Sequence, residues 1–147
     1  MTPPTANIKV RTVNGRREVF DIARNRFIAL TPEEWVRQHA VHLLHYQLDY
    51  PLELIQVEGS ITLNNMTRRC DIVVYDSQVR PLIIVECKRE NVSLTQKVFD
   101  QACRYNLVLG VPYLYLTNGA NHIFCQVDFD QKKLFSIHNL PKYHKKS

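Results

Sequence analysis

Two short apolar runs separated by a polar break dominate the hydrophobic pattern of the chain. Ile72, Val73, Val74 and Tyr75 precede the break from Asp76 to Pro81, and Leu82, Ile83, Ile84 and Val85 follow it. Runs rich in Val and Ile on either side of Asp, Ser and Pro predict an antiparallel hairpin. With the loop at Asp76 to Pro81, Tyr75 pairs with Leu82, and continuing that register sets Asp71 opposite Glu86. Side chains alternate along a strand, so Lys88 shares the face of Glu86 while Cys87 takes the other.

The remaining pattern predicts the elements around this hairpin. Ile8 to Val13 and Arg16 to Phe20 flank Asn14-Gly15, a pair suited to a type I′ turn, and read as an N-terminal hairpin. Leu30-Thr31-Pro32-Glu33-Glu34 is a helix start, with Thr31 as N-cap, Pro32 at the first helical position and Glu34 completing a capping box. That helix is predicted to run to about Gln47. Leu54 to Leu63 alternates as a strand, and Asn64-Asn65 turns it into the Arg68 strand. A second helix spans about Leu94 to Leu109 and ends at Gly110 and Pro112. Tyr113 to Thr117 is a buried strand that a helical crossover allows to lie parallel to a neighbour. His122 to Asp128 and an edge strand at Leu134 to Ile137 complete the chain. The expectation is an α/β fold with an α-β-β-β-α-β core around a mixed sheet and an extra N-terminal hairpin. Residues 1–147 form a single domain, with 1–7 disordered and 141–147 a basic tail.

Composition adds little to this; charge adds more. A 147-residue chain is long enough for one core without staples. Cys70, Cys87, Cys103 and Cys125 are widely spaced inside apolar segments and form no C-x-x-C, so neither disulfide nor zinc is expected. No apolar run approaches the roughly 20 residues of a membrane span, and Met1 to Ala6 lacks the character of a signal peptide, so a cytoplasmic location is expected. The net charge of +5 is unevenly spread: residues 1–30 carry +4 and residues 131–147 carry +5, which leaves 31–130 at −4. An acidic floor with a basic rim suits a phosphate backbone with bound cations.

Carboxylates directly opposed on a strand pair stand about 4.5–5.5 Å apart at Cβ and repel unless a cation lies between them. An edge hairpin with solvated charges is the bland alternative. The flanking Leu-Ile-Ile-Val run argues against it, because a strand apolar on both faces is covered on both, and buried charges are paired or bound to metal. Asp71, Glu86 and Lys88 therefore read as a hard-cation site with a lysine beside it. His39, His42 and His45 recur every third residue on the first helix, but no cysteine or carboxylate completes a ligand set, and they read as solvated or partly packed.

Asp71 followed by Glu86-Cys87-Lys88 resembles the active site of the PD-(D/E)XK nuclease superfamily, and Gln101-x-x-x-Tyr105 matches a motif of its RecB-like branch. More closely, the chain resembles the N-terminal nuclease domain family of the type I restriction enzyme R subunit. The similarity runs from about Phe20 to Tyr143 and includes Leu30 to Gln38 and Tyr113 to Gly119. It departs in one place: Cys70, not proline, precedes Asp71.

The resemblance implies a restriction-endonuclease-like fold and a metal-dependent endonuclease acting on DNA, linked to restriction or defence. It implies magnesium, with manganese as substitute, held by Asp71, Glu86 and the backbone carbonyl of Cys87. Glu34 is a further candidate ligand by the same resemblance, although the helix cap alone explains a glutamate there. Lys88 either orients the attacking water and stabilises charge on phosphorus or takes the water's proton. Gln101 and Tyr105 lean toward the acidic face and hold the lysine or a phosphate. Arg68, Arg69, Arg89, Lys97, Arg104, Lys142, Lys145 and Lys146 are the expected nucleic-acid contacts. Partners implied are DNA and a translocase or specificity subunit, or a second copy of the chain. The competing reading is a non-catalytic nucleic-acid-binding or interaction module that keeps the nuclease fold.

Overall fold

The computed structural model describes residues 7–63 and 65–144. The N-terminal segment expected to be disordered lies outside the described residues, apart from residue 7. Strands β1 (Val10–Val13), β2 (Arg16–Asp21) and β3 (Arg26–Ala29) form an antiparallel sheet of three. The first turn is as the sequence predicts, with Asn14 and Gly15 both at positive φ, 51° and 76°. The third strand corrects the expected hairpin. Its four residues are too short to show a period, and Asn25 at φ 54° supplies a second tight turn that the sequence does not announce.

Helix α1 (Pro32–His42) starts as predicted, the Glu34 amide donating to Thr31 Oγ1 at 3.0 Å, and continues through a wide π turn at Leu43–Gln47. Strands β4 (Ile55–Leu63), β5 (Met66–Tyr75) and β6 (Pro81–Cys87) follow as a consecutive antiparallel set. Helix α2 (Gln96–Leu109) is capped by Thr95 and closed by Gly110 in the left-handed conformation at φ 67°. It returns the chain to β7 (Tyr113–Thr117), which pairs with β6 in parallel. Strands β8 (His122–Asp128) and β9 (Lys133–Ile137) extend the sheet to six, in the order β4-β5-β6-β7-β8-β9. No helix among the described residues is long and apolar enough to cross a membrane.

The six-stranded sheet is covered by α1 on one face and α2 on the other. Val36, Ala40, Val41 and Leu44 pack on Ile72, Val74, Ile83, Val85 and Cys87; Ala102 and Leu109 pack on Cys70, Val73, Ile84, Leu114 and Cys125. This is why the β5 and β6 runs are continuously apolar rather than alternating. None of the four cysteines is in a disulfide, and burial pushes each thiol upward, to about 11 for Cys70 and Cys125 and about 12 for Cys103.

Asn106 locks α2 onto the start of β7. It is fully buried, and its Nδ2 donates to the Val111 carbonyl at 3.2 Å and the Tyr113 carbonyl at 2.8 Å. Replacing it by alanine leaves those carbonyls without that donor. The expected cost is about 2–3 kcal/mol, read as a lowered urea midpoint at unchanged slope.

Candidate active site

The β5–β6 register is the one the sequence predicts through the body of the hairpin: Ile72 pairs with Val85, Val73 with Ile84 and Val74 with Ile83. It shifts only at the loop, where Tyr75 pairs with Pro81 instead of Leu82. Asp71 and Glu86 are therefore neighbours at the far end of the hairpin, where the charge of Asp71 acts on the Glu86 carboxyl.

Asp71 sits where side-chain alternation breaks. Ile72 packs on the α1 face, yet Cys70 packs on the α2 face instead of sharing it. The neighbouring strand breaks in step, with Val57 on the α1 face and Ile61 on the α2 face. Between them Glu58 stands at φ 55°, a left-handed conformation that costs a non-glycine residue roughly 1–2 kcal/mol. Gly59 follows because a Cβ there would lie 3.0 Å from Val73 Cγ2. Such strain persists where the surroundings enforce it, and it clusters at functional sites. Its effect here is to let Asp71 face groups from both sides of the sheet.

Asp71 Oδ2 accepts from the Cys87 amide at 2.7 Å, and Asp71 Oδ1 lies 3.5 Å from Arg37 Nη2 on α1. Glu86 accepts from Arg68 Nη2 at 2.7 Å, and the Arg68 guanidinium lies 3.7 Å over the ring of Tyr105 on α2. Burial raises the Glu86 carboxyl to about 7; Arg68 opposes the shift, Asp71 adds to it and Lys88 opposes it. Arg37 also reaches Glu34 at 2.9 Å, Glu33 at 3.2 Å and Glu58 at 3.5 Å. Arg24 bridges Asp21, Glu34 and Glu58, tying the N-terminal sheet to α1 and β4. The network is not closed: Arg37 Nε, Arg68 Nε and Gln38 Oε1 are buried without a partner among the described residues.

Several expected residues take different places. Glu34 neither completes the capping box nor stands free as a ligand, because its carboxylate is taken by Arg24, Arg37 and Gln38 Nε2. Tyr105 holds Arg68 rather than Lys88, while Gln101, four residues earlier, is exposed and makes no hydrogen bond among the described residues. His42 is buried, not solvated, and its Nε2 is unpartnered; burial lowers its pKa. Arg69, Arg89, Lys97 and Arg104 are exposed.

Lys142 belongs to the opposite end of the sheet. Tyr143 N donates to the Leu48 carbonyl and Tyr50 Oη to the Pro141 carbonyl, each at 2.8 Å, which pins this segment beside Pro81 at the start of β6. At about 3.3 Å per residue, the length of β6 puts roughly 20 Å between its two ends. Lys142 is thus no part of a rim around the acid pair, and Lys145 and Lys146 lie outside the described residues.

Arg37, Arg24 and Glu58 were missed by sequence reasoning. The spacing of Glu33 and Glu34 to Arg37, four and three residues on one helix, is a signal of local pairing but not of a contact to Asp71. Nothing in the sequence marks Glu58.

A family model described as the type I restriction enzyme R protein N terminus (HSDR_N) matches residues 32–141. The chain belongs to that family. The match starts at α1 and contains every element that builds the acid pair, while β1 to β3 lie outside it. Among solved structures, a fragment of an HsdR subunit of a type I restriction enzyme from Vibrio vulnificus YJ016 is similar over 78% of this chain, with 22% identity and a TM-score of 0.48. The chain spans 24% of that structure's length. No curated protein matches.

The acid pair generates a pH prediction. A carboxyl raised from 4.5 to about 7 on folding contributes stability that is complete below pH 4.5 and lost as pH rises through 7. At about 1.4 kcal/mol per pH unit, the loss is on the order of 3 kcal/mol. The parent is expected to lose thermal stability between pH 5 and pH 8, and Glu86→Gln to lose much less, so the variant melts above the parent at pH 8. Parallel melting curves across that range would remove the burial argument.

Proposed function

We propose that this chain is a metal-dependent endonuclease that hydrolyses phosphodiester bonds in DNA as part of a restriction system. The observation that carries this reading is the juxtaposition of Asp71 and Glu86 at the end of the β5–β6 hairpin, with Lys88 directly after β6 and its charge acting on the Glu86 carboxyl. Membership of the restriction R protein family supports it.

The donor set fits magnesium, with manganese as substitute. Among the described residues no cluster of three or more His, Cys, Asp or Glu side chains is arranged to hold a metal, but magnesium needs only one or two carboxylates, keeping water and substrate oxygens for its other positions. Asp71, Glu86 and the Cys87 carbonyl would hold it. Burial raises the Glu86 carboxyl, and a bound cation would oppose that shift as Arg68 and Lys88 do. When bound, the metal neutralises phosphate charge and lowers the pKa of a water.

The chain's own groups supply the rest. Lys88 orients the attacking water and stabilises the charge that develops on phosphorus. Arg68, held over Tyr105, is placed to turn its guanidinium from Glu86 to a phosphate oxygen. Arg37 and the Cys87 amide hold the Asp71 carboxylate in place. Among the described residues no serine or cysteine is paired with a base, and the nucleophile in this reading is water. A translocase or specificity subunit would deliver DNA to the domain, while the cleavage step itself uses only the groups named here.

One observation favours a second reading, a non-catalytic binding or interaction module: each carboxylate already has an arginine beside it, so positive charge is present without metal. Nicking of supercoiled plasmid separates the two. With magnesium or manganese the parent is expected to nick, Glu86→Ala and Lys88→Ala to fall by at least about a hundredfold, and chelation to stop the reaction. Metal-independent DNA binding without nicking by any of the three supports the second reading, and equal nicking by all three marks a contaminant.

A further inference from the structure

A groove of about 590 Å³ lies between the N-terminal sheet, the start of α1 and the loop that follows β6, lined among others by Arg17, Leu30, Trp35, Arg89, Glu90 and Asn91. This volume falls in the range of small-ligand sites. Arg89 directly follows Lys88, so the groove continues from the strand end that carries the acid pair.

Its lining combines one aromatic ring with two cationic side chains. Trp35 is half-buried and its orientation is fixed by His39, which meets it edge to face at 4.6 Å and hydrogen-bonds its carbonyl oxygen through Nδ1 at 2.8 Å. Arg17 and Arg89 are exposed, and neither is in an ion pair among the described residues, so both guanidinium groups are available to a ligand in the groove. The positive charge of the groove comes from these two side chains and not from the helix terminus: Pro32 has no N–H, and the Glu34 amide is taken by Thr31. Leu30 gives the groove an apolar lining. Glu90 disfavours phosphate on its own side but accepts a hydrogen bond from an exocyclic base amine.

We propose that this groove is a nucleotide subsite, in which a base of one DNA strand stacks on Trp35 while Arg17 and Arg89 hold the phosphates on either side. The inference rests on the nuclease reading, since it places the strand beside the acid pair. Base stacking on an aromatic ring tolerates any sequence, and arginines supply the salt-dependent remainder. A strand fits better than a free nucleotide because the two arginines come from separate elements, β2 and the loop after β6. It also gives the N-terminal sheet a function: it supplies one wall of the groove.

Trp35 is the only tryptophan in the chain, so its fluorescence reports this groove directly. In chelator, without divalent metal, a short oligothymidylate is expected to quench it saturably. Arg17→Ala and Arg89→Ala, both at exposed positions, are each expected to weaken binding about threefold to tenfold. The double variant should flatten the salt dependence by about 1.4 in log–log slope, two phosphates at about 0.7 each. No quenching, quenching unchanged in the double variant, or equal quenching by thymidine monophosphate overturns the subsite. Plasmid nicking measured alongside keeps the two readings apart: nicking by the parent without quenching removes the subsite alone, and quenching without nicking leaves the subsite and removes the nuclease.

Discussion

Asp71 and Glu86 repel one another at the end of a sheet that is covered by a helix on each face, and the domain answers with positive charge from both sides. Arg37 reaches Asp71 from α1, and Arg68 reaches Glu86 while stacked on Tyr105 from α2. Arg68 does not cancel the cost at Glu86, because burial still raises that carboxyl. Much of what surrounds the pair follows from holding two acids whose side chains are only 20% and 12% exposed. Glu58 adopts a strained backbone so that Asp71 can turn between the faces, and Arg24 and Arg37 bind a second set of acids around it. A binding surface for phosphate alone gains nothing from such an arrangement, since acids repel phosphate.

The parts of this site that were legible in the sequence are those set by local rules. Val and Ile runs around a turn specify a register, and a register specifies which residues face each other, so the meeting of Asp71 with Glu86 could be read directly. The Thr31 cap and the Asn14-Gly15 turn were legible for the same reason. What was not legible depends on contacts between distant segments. Glu34 looks like half of a capping box until Arg24, from the N-terminal sheet, takes its carboxylate. Lys142 looks like part of a basic rim until Tyr50 and Tyr143 anchor its segment at the opposite end of β6. A run of four residues at β3 carries too little pattern to distinguish it from a loop, and the left-handed Glu58 leaves no trace in composition at all.

The family match begins at Pro32, yet the N-terminal sheet is not an independent addition. Through Asp21, which is fully buried, it positions Arg24, and Arg24 reaches both Glu34 and Glu58. The sheet thus supports the acid pair from behind while presenting Arg17 to the neighbouring groove. One segment outside the matched region accordingly bears on the electrostatics of the candidate site and on the surface that leads into it.

Binding of manganese to the isolated domain tests the account most directly, because it asks whether the acid pair accepts a divalent cation without requiring turnover, partner or DNA. In an electron paramagnetic resonance titration, the parent is expected to remove free Mn²⁺ signal saturably, and Asp71→Asn and Glu86→Gln each to abolish that uptake while remaining folded. No saturable uptake by the parent, or uptake that survives both substitutions, would contradict it.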